Sequence, residues 1–389
     1  MSSESPTAPP AEPPRIDSAD VRRSERSGRG AHRTSVVVIN YNGRDYLEPC
    51  LRALLEQEPR PEQVLVVDNE SQDDSVPYLR EHFPEVKVLE AGGNLGPAAA
   101  RNLGMKAAEH PRVLLIDNDV VMRPGCLEAL HRALDRDDVV VAQARSVMKS
   151  DPSQLHYDRA DLQVCGTLVL HDWFRSVDEV DRERSEPAEG SEVGAFIALC
   201  LLVDRDEVLE IGGFDERLFI LYEDNDLSWR LRMRGRRLWR AKNAVVLHDD
   251  GTAGLSFRGE GKSYSPQRTF LHVRNRGLVV LRNASLSNLL LMAPARAVYA
   301  FAYFVFAVLR GHLGDVLRGY LAILAALPRV VSARRRTQRT RTVPDRNLLS
   351  ARGMTANPGL ADRGPKAWLR RAIDLVIAGY WKVVRPLCG

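Results

Sequence analysis

Residues Val113 to Met122 read VLLIDNDVVM, and the fold turns on how the first half of that stretch is taken. Val113, Leu114, Leu115 and Ile116 form a continuous apolar run of the kind found in strands buried on both faces of a parallel sheet. The run then ends in two carboxylates, Asp117 and Asp119, either side of Asn118. The same design stands upstream at SVVVI (35–39), QVLVVD (63–68) and VKVLEA (86–91). Between these runs the apolar spacing turns helical, with Leu47, Leu51, Leu54 and Leu55 on one face and further helices expected near 75–82 and 97–109. Strand and helix thus alternate four times within about eighty-five residues, which predicts an α/β domain with a parallel sheet. In such sheets ligands gather at the carboxyl ends of the strands. Polar clusters fall there: Asn40 to Gly43 (NYNG), Asp68 to Ser71 (DNES), Gly92 to Gly96 (GGNLG) and Asp117 to Asp119 (DND). A ligand cleft is expected at these four ends.

The bulk of the chain narrows the class. Its 389 residues suffice for one large domain or two smaller ones, and an apolar fraction of 44% supports a substantial core. A net charge of +4, with both signs mixed along the chain, does not point to nucleic acid. The five cysteines are scattered and never form a CxxC pair, which suits a reducing compartment and argues against structural zinc. Residues 1–33 are rich in Pro, Ser and charge, predicting a disordered tail with no apolar signal-peptide core, so export is not expected.

Three motifs carry chemistry. Two carboxylates one residue apart after a buried strand can approach one hard cation, Mg²⁺ or Mn²⁺, leaving its other positions to water and phosphate. In GGNLGPAAARN (92–102), Gly96 permits a close backbone approach and Pro97 opens a helix whose free N–H groups suit an anion. Arg101 lies one turn in and can reach back to a phosphate. There is no GxGxxG or Walker sequence, which disfavours a dinucleotide oxidoreductase and a P-loop enzyme. In GGFDERLFILYEDNDLSWRLRMRG (212–235), an apolar run from Leu218 to Tyr222 reads as a strand delivering Glu223 and Asp224. Asp226 then reads as the cap of an amphipathic helix with its arginines outward. Burial and like-charge repulsion at such a junction can tune a carboxylate into a general base. Further on, AVVLHDDG (244–251) ends a β-type run with His248, a residue type that also ligates metals.

Taken together, SVVVINYNGRDYL, VLVVDNESQDDS, NLGPAAARN, LLIDNDV, GGFDE, YEDNDLSWR and RTFLHVRNRG resemble family 2 glycosyltransferases of the bacterial rhamnosyltransferase-like branch, over residues 35 to about 283. That resemblance implies a GT-A fold and inverting transfer from a nucleoside-diphosphate sugar. It implies that Asn40, Asp68, Asn94, Gly96, Arg101 and Asp117 bind the nucleotide sugar, Asp68 facing the nucleoside. It makes Asp119 the direct metal ligand, with Asp117 beside it and His248 added on the spacing seen in related galactofuranose-type enzymes. It casts Asp224 as the catalytic base and Glu223 as its neighbour. LLIDNDVV also resembles the first motif of haloacid-dehalogenase-type phosphatases, which would make Asp117 a nucleophile, and a non-catalytic sugar-nucleotide-binding relative is a third reading.

Domain boundaries are expected at 34–285 for the GT-A domain, 286–341 for amphipathic helices with a basic cluster, and 342–389 for an extension with a terminal helix. LLLMAPARAVYAFAYFVFAVLR (289–310) has an uninterrupted apolar core of thirteen residues, short of the roughly 20 a spanning helix needs, so it reads as interfacial or buried. GYLAILAAL (319–327) runs into RVVSARRRTQRTR (329–341), which holds six arginines. The last helix, 367–384, places Ile373, Val376, Ile377, Tyr380 and Val384 on one face. Amphipathic helices beside an arginine cluster suit the anionic inner face of a cell membrane. The expected partners are therefore a nucleoside-diphosphate sugar, a glycan or lipid-linked acceptor and a cytoplasmic membrane surface. The charged segment 172–192 is expected as a loop on the acceptor side.

Overall fold

Three buried runs and one half-exposed edge run, at 87–90, become four parallel strands. β1 (Thr34–Asn40), α1 (Arg44–Leu55), β2 (Gln63–Asp68), α2 (Ser75–His82), β3 (Lys87–Glu90), α3 (Gly96–Ala107) and β4 (Arg112–Asp117) alternate as the pattern requires. The computed structural model describes residues 32–248, 265–351, 353 and 365–389. The expected tail lies almost wholly outside the described residues, as do Asp249 and Asp250 after His248. The chain continues through β5 (Val120–Met122), α4 (Cys126–Leu134), β6 (Val139–Met148), β7 (Leu155–Tyr157), β8 (Arg159–Leu162), β9 (Leu168–His171) and α5 (Val177–Arg184). Then come β10 (Ser191–Val193), β11 (Cys200–Asp204), α6 (Arg205–Glu210), α7 (Glu223–Arg232) and β12 (Arg237–His248). Helices α8 (Pro266–Asn283), α9 (Leu286–Leu291), α10 (Ala293–Leu309), α11 (Leu313–Arg339), α12 (Asp345–Leu348) and α13 (Pro365–Val384) follow.

The main sheet runs β10-β12-β6-β11-β4-β1-β2-β3, with β5 on β12 and β7 on β6. Its β3-β2-β1-β4 half is parallel, and β11 is inserted antiparallel between β4 and β6. Alternation divides the core into two layers. Val36, Val38, Leu114 and Ile116 point to the layer holding Leu47, Leu51 and Leu54 of α1. Val37, Ile39, Val113 and Leu115 point to the opposite layer with Ala98, Ala100 and Met105 of α3. After β3 the chain crosses beneath the sheet through α3 to reach β4 on the far side of β1, so the strand order reverses between β1 and β4. A cleft at their carboxyl ends follows from that switch.

The apolar carboxyl-terminal half departs from expectation in detail. Residues 289–310 span two helices, α9 and α10, while 319–327 and the arginine stretch belong to one helix of 27 residues that continues through Pro328. Arg334 and Arg341 turn inward to backbone carbonyls of Leu281 and Asn283, leaving Arg329, Arg335, Arg336 and Arg339 exposed. On α13, Ile377, Trp381 and Val384 are buried in the same core as α1, whereas Val376, expected on that face, is exposed. The segment 172–192 is no loop throughout: it forms α5 and β10. The pairs Arg145–Asp181 and Lys242–Asp181 hold it against β6 and β12, and Arg175–Glu183 ties it internally.

α3 packs against β1 at Gly104, where an added Cβ would lie 2.1 Å from Val37 Cγ1. On an exposed helix Gly→Ala stabilises by about 1 kcal/mol. Here overpacking against a central strand dominates, at about 1–3 kcal/mol. Gly104→Ala is expected to lower the urea midpoint; a raised midpoint would mean that α3 can shift away from Val37.

Candidate active site

Strand register brings the polar ends together. Asn40 pairs with Asp68, and Ile39 with Asp117. The Asn40 side chain donates to Asp68 Oδ1 (2.9 Å) and accepts from Asn118 Nδ2 (2.7 Å). Asp68 also accepts from the Ser71 hydroxyl (2.6 Å) and backbone N–H (2.9 Å). Asn40 and Asp68 are therefore buried braces that fix three strand ends to one another. Asn94 is exposed, and its Oδ1 accepts the Gly96 N–H at 3.1 Å. Gly96 has φ +77°, and a Cβ there would sit 2.6 Å from Phe219 Cδ2, so the close approach it permits is to the 212–222 segment.

Asp119 and His248 meet because β5 pairs antiparallel with β12, setting His248 opposite Val120. His248 Nε2 lies 3.5 Å from Asp119 Oδ2, and its ring stacks on His156 at 4.3 Å between centroids. His156 is a support that the sequence did not single out. Among the described residues no three His, Cys, Asp or Glu side chains converge into a complete cage. An oxygen–imidazole pair with a second carboxylate alongside fits a cation that keeps several positions for water and phosphate, as Mg²⁺ and Mn²⁺ do. Burial and the neighbouring Asp119 charge hold the Asp117 carboxyl above its ordinary range, against the pull of Arg101.

Arg101 joins the two halves of the cleft. Rather than turning back to its helix N-terminus, its buried Nη2 donates to Asp117 Oδ1 (2.7 Å) and the Ala198 carbonyl (2.6 Å). Its Nη1 stands 3.8 Å from Glu223 Oε1. The apolar stretch 194–203 supplies β11, a central strand, and the segment before it offers a carbonyl to Arg101.

The run Leu218–Tyr222 is not a strand. Phe219, Leu221 and Tyr222 have φ of +63°, +69° and +74°, and Tyr222 is the residue preceding α7. Nor does Asp226 cap that helix: its carboxylate is taken by Arg230 (2.7 Å) and Asn283 (2.8 Å). Arg230, expected outward, is buried. Glu223 and Asp224 occupy the first turn of α7, where Glu223 Oε2 and Asp224 Oδ1 have no hydrogen-bond partner among the described residues. Burial first, then the Asp224 charge, pushes Glu223 up to about 8, with Arg101 opposing. Burial pushes Asp224 up to about 6, pulled back by Arg101 and the Ala198 N–H. At neutral pH the pair is thus one neutral acid beside one anion. A cavity of about 370 Å³ opens on them, lined also by Ile197, Tyr222, Arg268, His272 and Tyr299. Arg268 and His272 lie in RTFLHVRNRG, which carried the resemblance without an assigned role, and Tyr299 was not singled out, because α8 and α10 reach the site only through tertiary packing.

A mostly parallel central sheet with β11 inserted antiparallel and flanking helices on both faces is the GT-A type of glycosyltransferase fold. The crystal structure of GalNAc-T7 with UDP, GalNAc and Mn²⁺ shares the fold at a TM-score of 0.52 and 17% identity, over 64% of this chain and 48% of that one. The family model "Glycosyl transferase family 2" matches residues 35–187. The chain is 31% identical over 240 residues to the N-acetylglucosaminyl-diphospho-decaprenol L-rhamnosyltransferase of Mycobacterium tuberculosis, covering 55% of this chain and 75% of that protein. It is 29% identical over 293 residues to the pre-mycofactocin glycosyltransferase of the same organism, covering 72% of this chain and 57% of that one. The chain belongs to glycosyl transferase family 2, and it is an enzyme of nucleotide-sugar transfer. The phosphatase reading falls with that membership, and Asp117 is held in an ion pair with Arg101.

Glu223 keeps its proton to about pH 8 in the folded chain but releases it near about 4.3 when unfolded. The folded state binds more protons between those values, so its stability falls as pH rises through that window. Glu223→Gln, which cannot ionise, is expected to lose less melting temperature than the wild type between about pH 5 and about pH 8.5. Equal losses would mean that Glu223 titrates normally.

Proposed function

We propose that the chain transfers rhamnose, with inversion, from a nucleoside diphosphate to a hydroxyl of a lipid-linked cell-envelope glycan, with Asp224 as base. One observation carries the chemistry. Asp224 presents an oxygen without a hydrogen-bond partner among the described residues, in the wall of a cavity of about 370 Å³. The choice of rhamnose and of a lipid-linked acceptor is supported by the name of the 31% identical mycobacterial relative.

In this reading Asp224 takes the proton of the acceptor hydroxyl as that oxygen attacks the anomeric carbon opposite the departing diphosphate. Neutral Glu223 beside it keeps a second negative charge away from the incoming oxygen. Arg101 holds Asp117 on one side and faces Glu223 on the other, preserving the spacing between donor and base. Asn94, Gly96 and the first turn of α3 would line the nucleotide, over the brace of Asn40 and Asp68. Asp119, Asp117 and His248 would hold Mg²⁺ or Mn²⁺, which when bound offsets charge on the diphosphate.

Asp224→Asn is expected to lower kcat by about 10²- to 10⁴-fold for transfer from dTDP-rhamnose to N-acetylglucosaminyl-diphospho-decaprenol. It should leave calorimetric binding of dTDP with Mn²⁺ unchanged, and wild-type turnover should rise with pH through about 6. Full turnover in the variant would end the base assignment. Binding of UDP or GDP in place of dTDP, abolished by EDTA, would reassign the donor while keeping the metal site.

A membrane surface is the proposed location. Helix α11 is long and apolar enough to cross a bilayer by length and composition, yet Val316, Gly319, Val330 and Ala333 are buried, Gly319 against Val273 of α8. Leu317, Leu321, Leu324, Leu327 and Val331 stand exposed in one stripe, with Phe301 and Val305 exposed on α10. Exposed Arg329, Arg335, Arg336 and Arg339 continue from the stripe, which suits a helix lying on an anionic leaflet. Sedimentation with phosphatidylglycerol vesicles is expected at low salt and is expected to weaken in Leu321→Glu/Leu324→Glu. Absence of the wild type from the pellet would remove the membrane from the proposal.

A further inference from the structure

The left-handed residues Phe219, Leu221 and Tyr222 crowd into four positions directly before Glu223 and Asp224. Each such residue costs about 1 kcal/mol or more and persists only where its surroundings over-determine it. Here the surroundings are one face of α8. Asn275 is fully buried, and its Nδ2 lies 2.8, 3.0 and 2.8 Å from the carbonyl oxygens of Leu218, Ile220 and Leu221. Two hydrogens serve three acceptors, so at least one is shared. The Asn275 Oδ1 accepts from Arg274 Nε (2.8 Å), whose Nη2 donates to the Arg217 carbonyl (2.9 Å). One turn earlier, His272 Nδ1 is 3.2 Å from the Tyr222 hydroxyl. On its other side the segment touches the donor loop: Ala98 N–H donates to the Phe219 carbonyl at 3.5 Å, and Phe219 fills the place a Cβ on Gly96 would take.

Residues 217–222 are therefore a wedge between the loop that opens α3 and the helix that carries Asn275. We propose that Asn275 is a positioning residue for transfer: it locks this wedge and so sets the distance of Glu223 and Asp224 from Arg101 and the donor. The assignment rests on the reading of Asp224 as base. Asn275 touches neither substrate nor base, and it acts through the backbone carbonyls it holds. A residue that merely filled core volume would need no amide: the Leu218 carbonyl also receives Arg274 Nη2 (3.2 Å) and the Ile220 N–H (2.8 Å), but an apolar replacement takes the Asn275 donor from the Ile220 and Leu221 carbonyls.

The test compares Asn275→Ala and Asn275→Ser with the wild type in three measurements. The first is kcat and donor KM with dTDP-rhamnose and N-acetylglucosaminyl-diphospho-decaprenol. The second is dTDP–Mn²⁺ affinity by calorimetry, and the third is the Glu223 titration by carboxyl ¹³C resonance. Displacement of the base by about 1 Å costs about 10²-fold, so Asn275→Ala should lower kcat by that order while donor KM and dTDP affinity change little. Its Glu223 titration should fall from about 8 toward ordinary carboxyl values as the pair leaves its buried seat. Asn275→Ser, which keeps one donor, should recover part of both. Folded Asn275→Ala with unchanged kcat and unchanged Glu223 titration would overturn the proposal, as would a loss confined to dTDP affinity. Should the alanine variant fail to fold, the serine variant decides it by the same kcat and titration criteria. If instead Asp224→Asn retains turnover, the base reading fails by itself. The Glu223 titration then still decides whether Asn275 seats the pair.

Discussion

A single buried guanidinium stands between two pairs of carboxylates, Asp117 with Asp119 and Glu223 with Asp224. Four acids in one cleft could not all ionise without a cation among them, and Arg101 is a buried cation within reach of both pairs. Its planar fork has a definite task for each arm: Nη2 bonds Asp117 and the Ala198 carbonyl, while Nη1 faces Glu223. A lysine ammonium in the same place would be a point charge without that geometry. Taking the arginine away would leave Asp117 with an uncompensated charge in a largely enclosed position, the costly half of a broken ion pair. The strand order, the insertion of β11 and the seating of α7 each bring one of the partners to this group.

A second buried network underlies the first. Asp226 receives Arg230, Arg282 and Asn283, while Arg230 also donates to the carbonyls of Ile211 and Gly213. The helix carrying Glu223 and Asp224 is thus pinned from beneath through charge-assisted bonds, and from its entry by the carbonyls that Asn275 holds. That helix is thereby held both along its length and at its entry.

How much of this could be read from the letters alone depends on how local the cause was. β2, α2 and β4 fall at the residues their apolar runs predict, because a doubly buried strand needs an uninterrupted run and nothing else interrupts it so sharply. The acidic pair beyond β4 was visible for the same reason. Leu218–Tyr222 misled because its apolar composition is that of a strand, whereas its conformation is dictated by an asparagine more than fifty residues away. Arg230 misled because helical periodicity places charges on a face without saying whether that face meets water or a buried carboxylate. His248 was chosen from a resemblance in spacing; its meeting with Asp119 comes from β5 pairing with β12, a contact that no local pattern announces. Arg268, His272 and Tyr299 belong to the same class of long-range consequence.

Asp345 shows where the limits of the molecule lie. Fully buried, it accepts the Trp229 indole N–H at 3.3 Å, the Ser285 backbone N–H at 2.7 Å and an Arg341 N–H at 2.8 Å. Trp229 is on the helix of Glu223 and Asp224, so a carboxylate far along the chain completes the floor beneath it. The family model matches residues 35–187, well short of that floor. A fragment ending before α12 would bare Trp229 and strip Ser285 and Arg341 of their shared carboxylate, so moving the helix of Glu223 and Asp224 into another protein means carrying the chain through Asp345 with it.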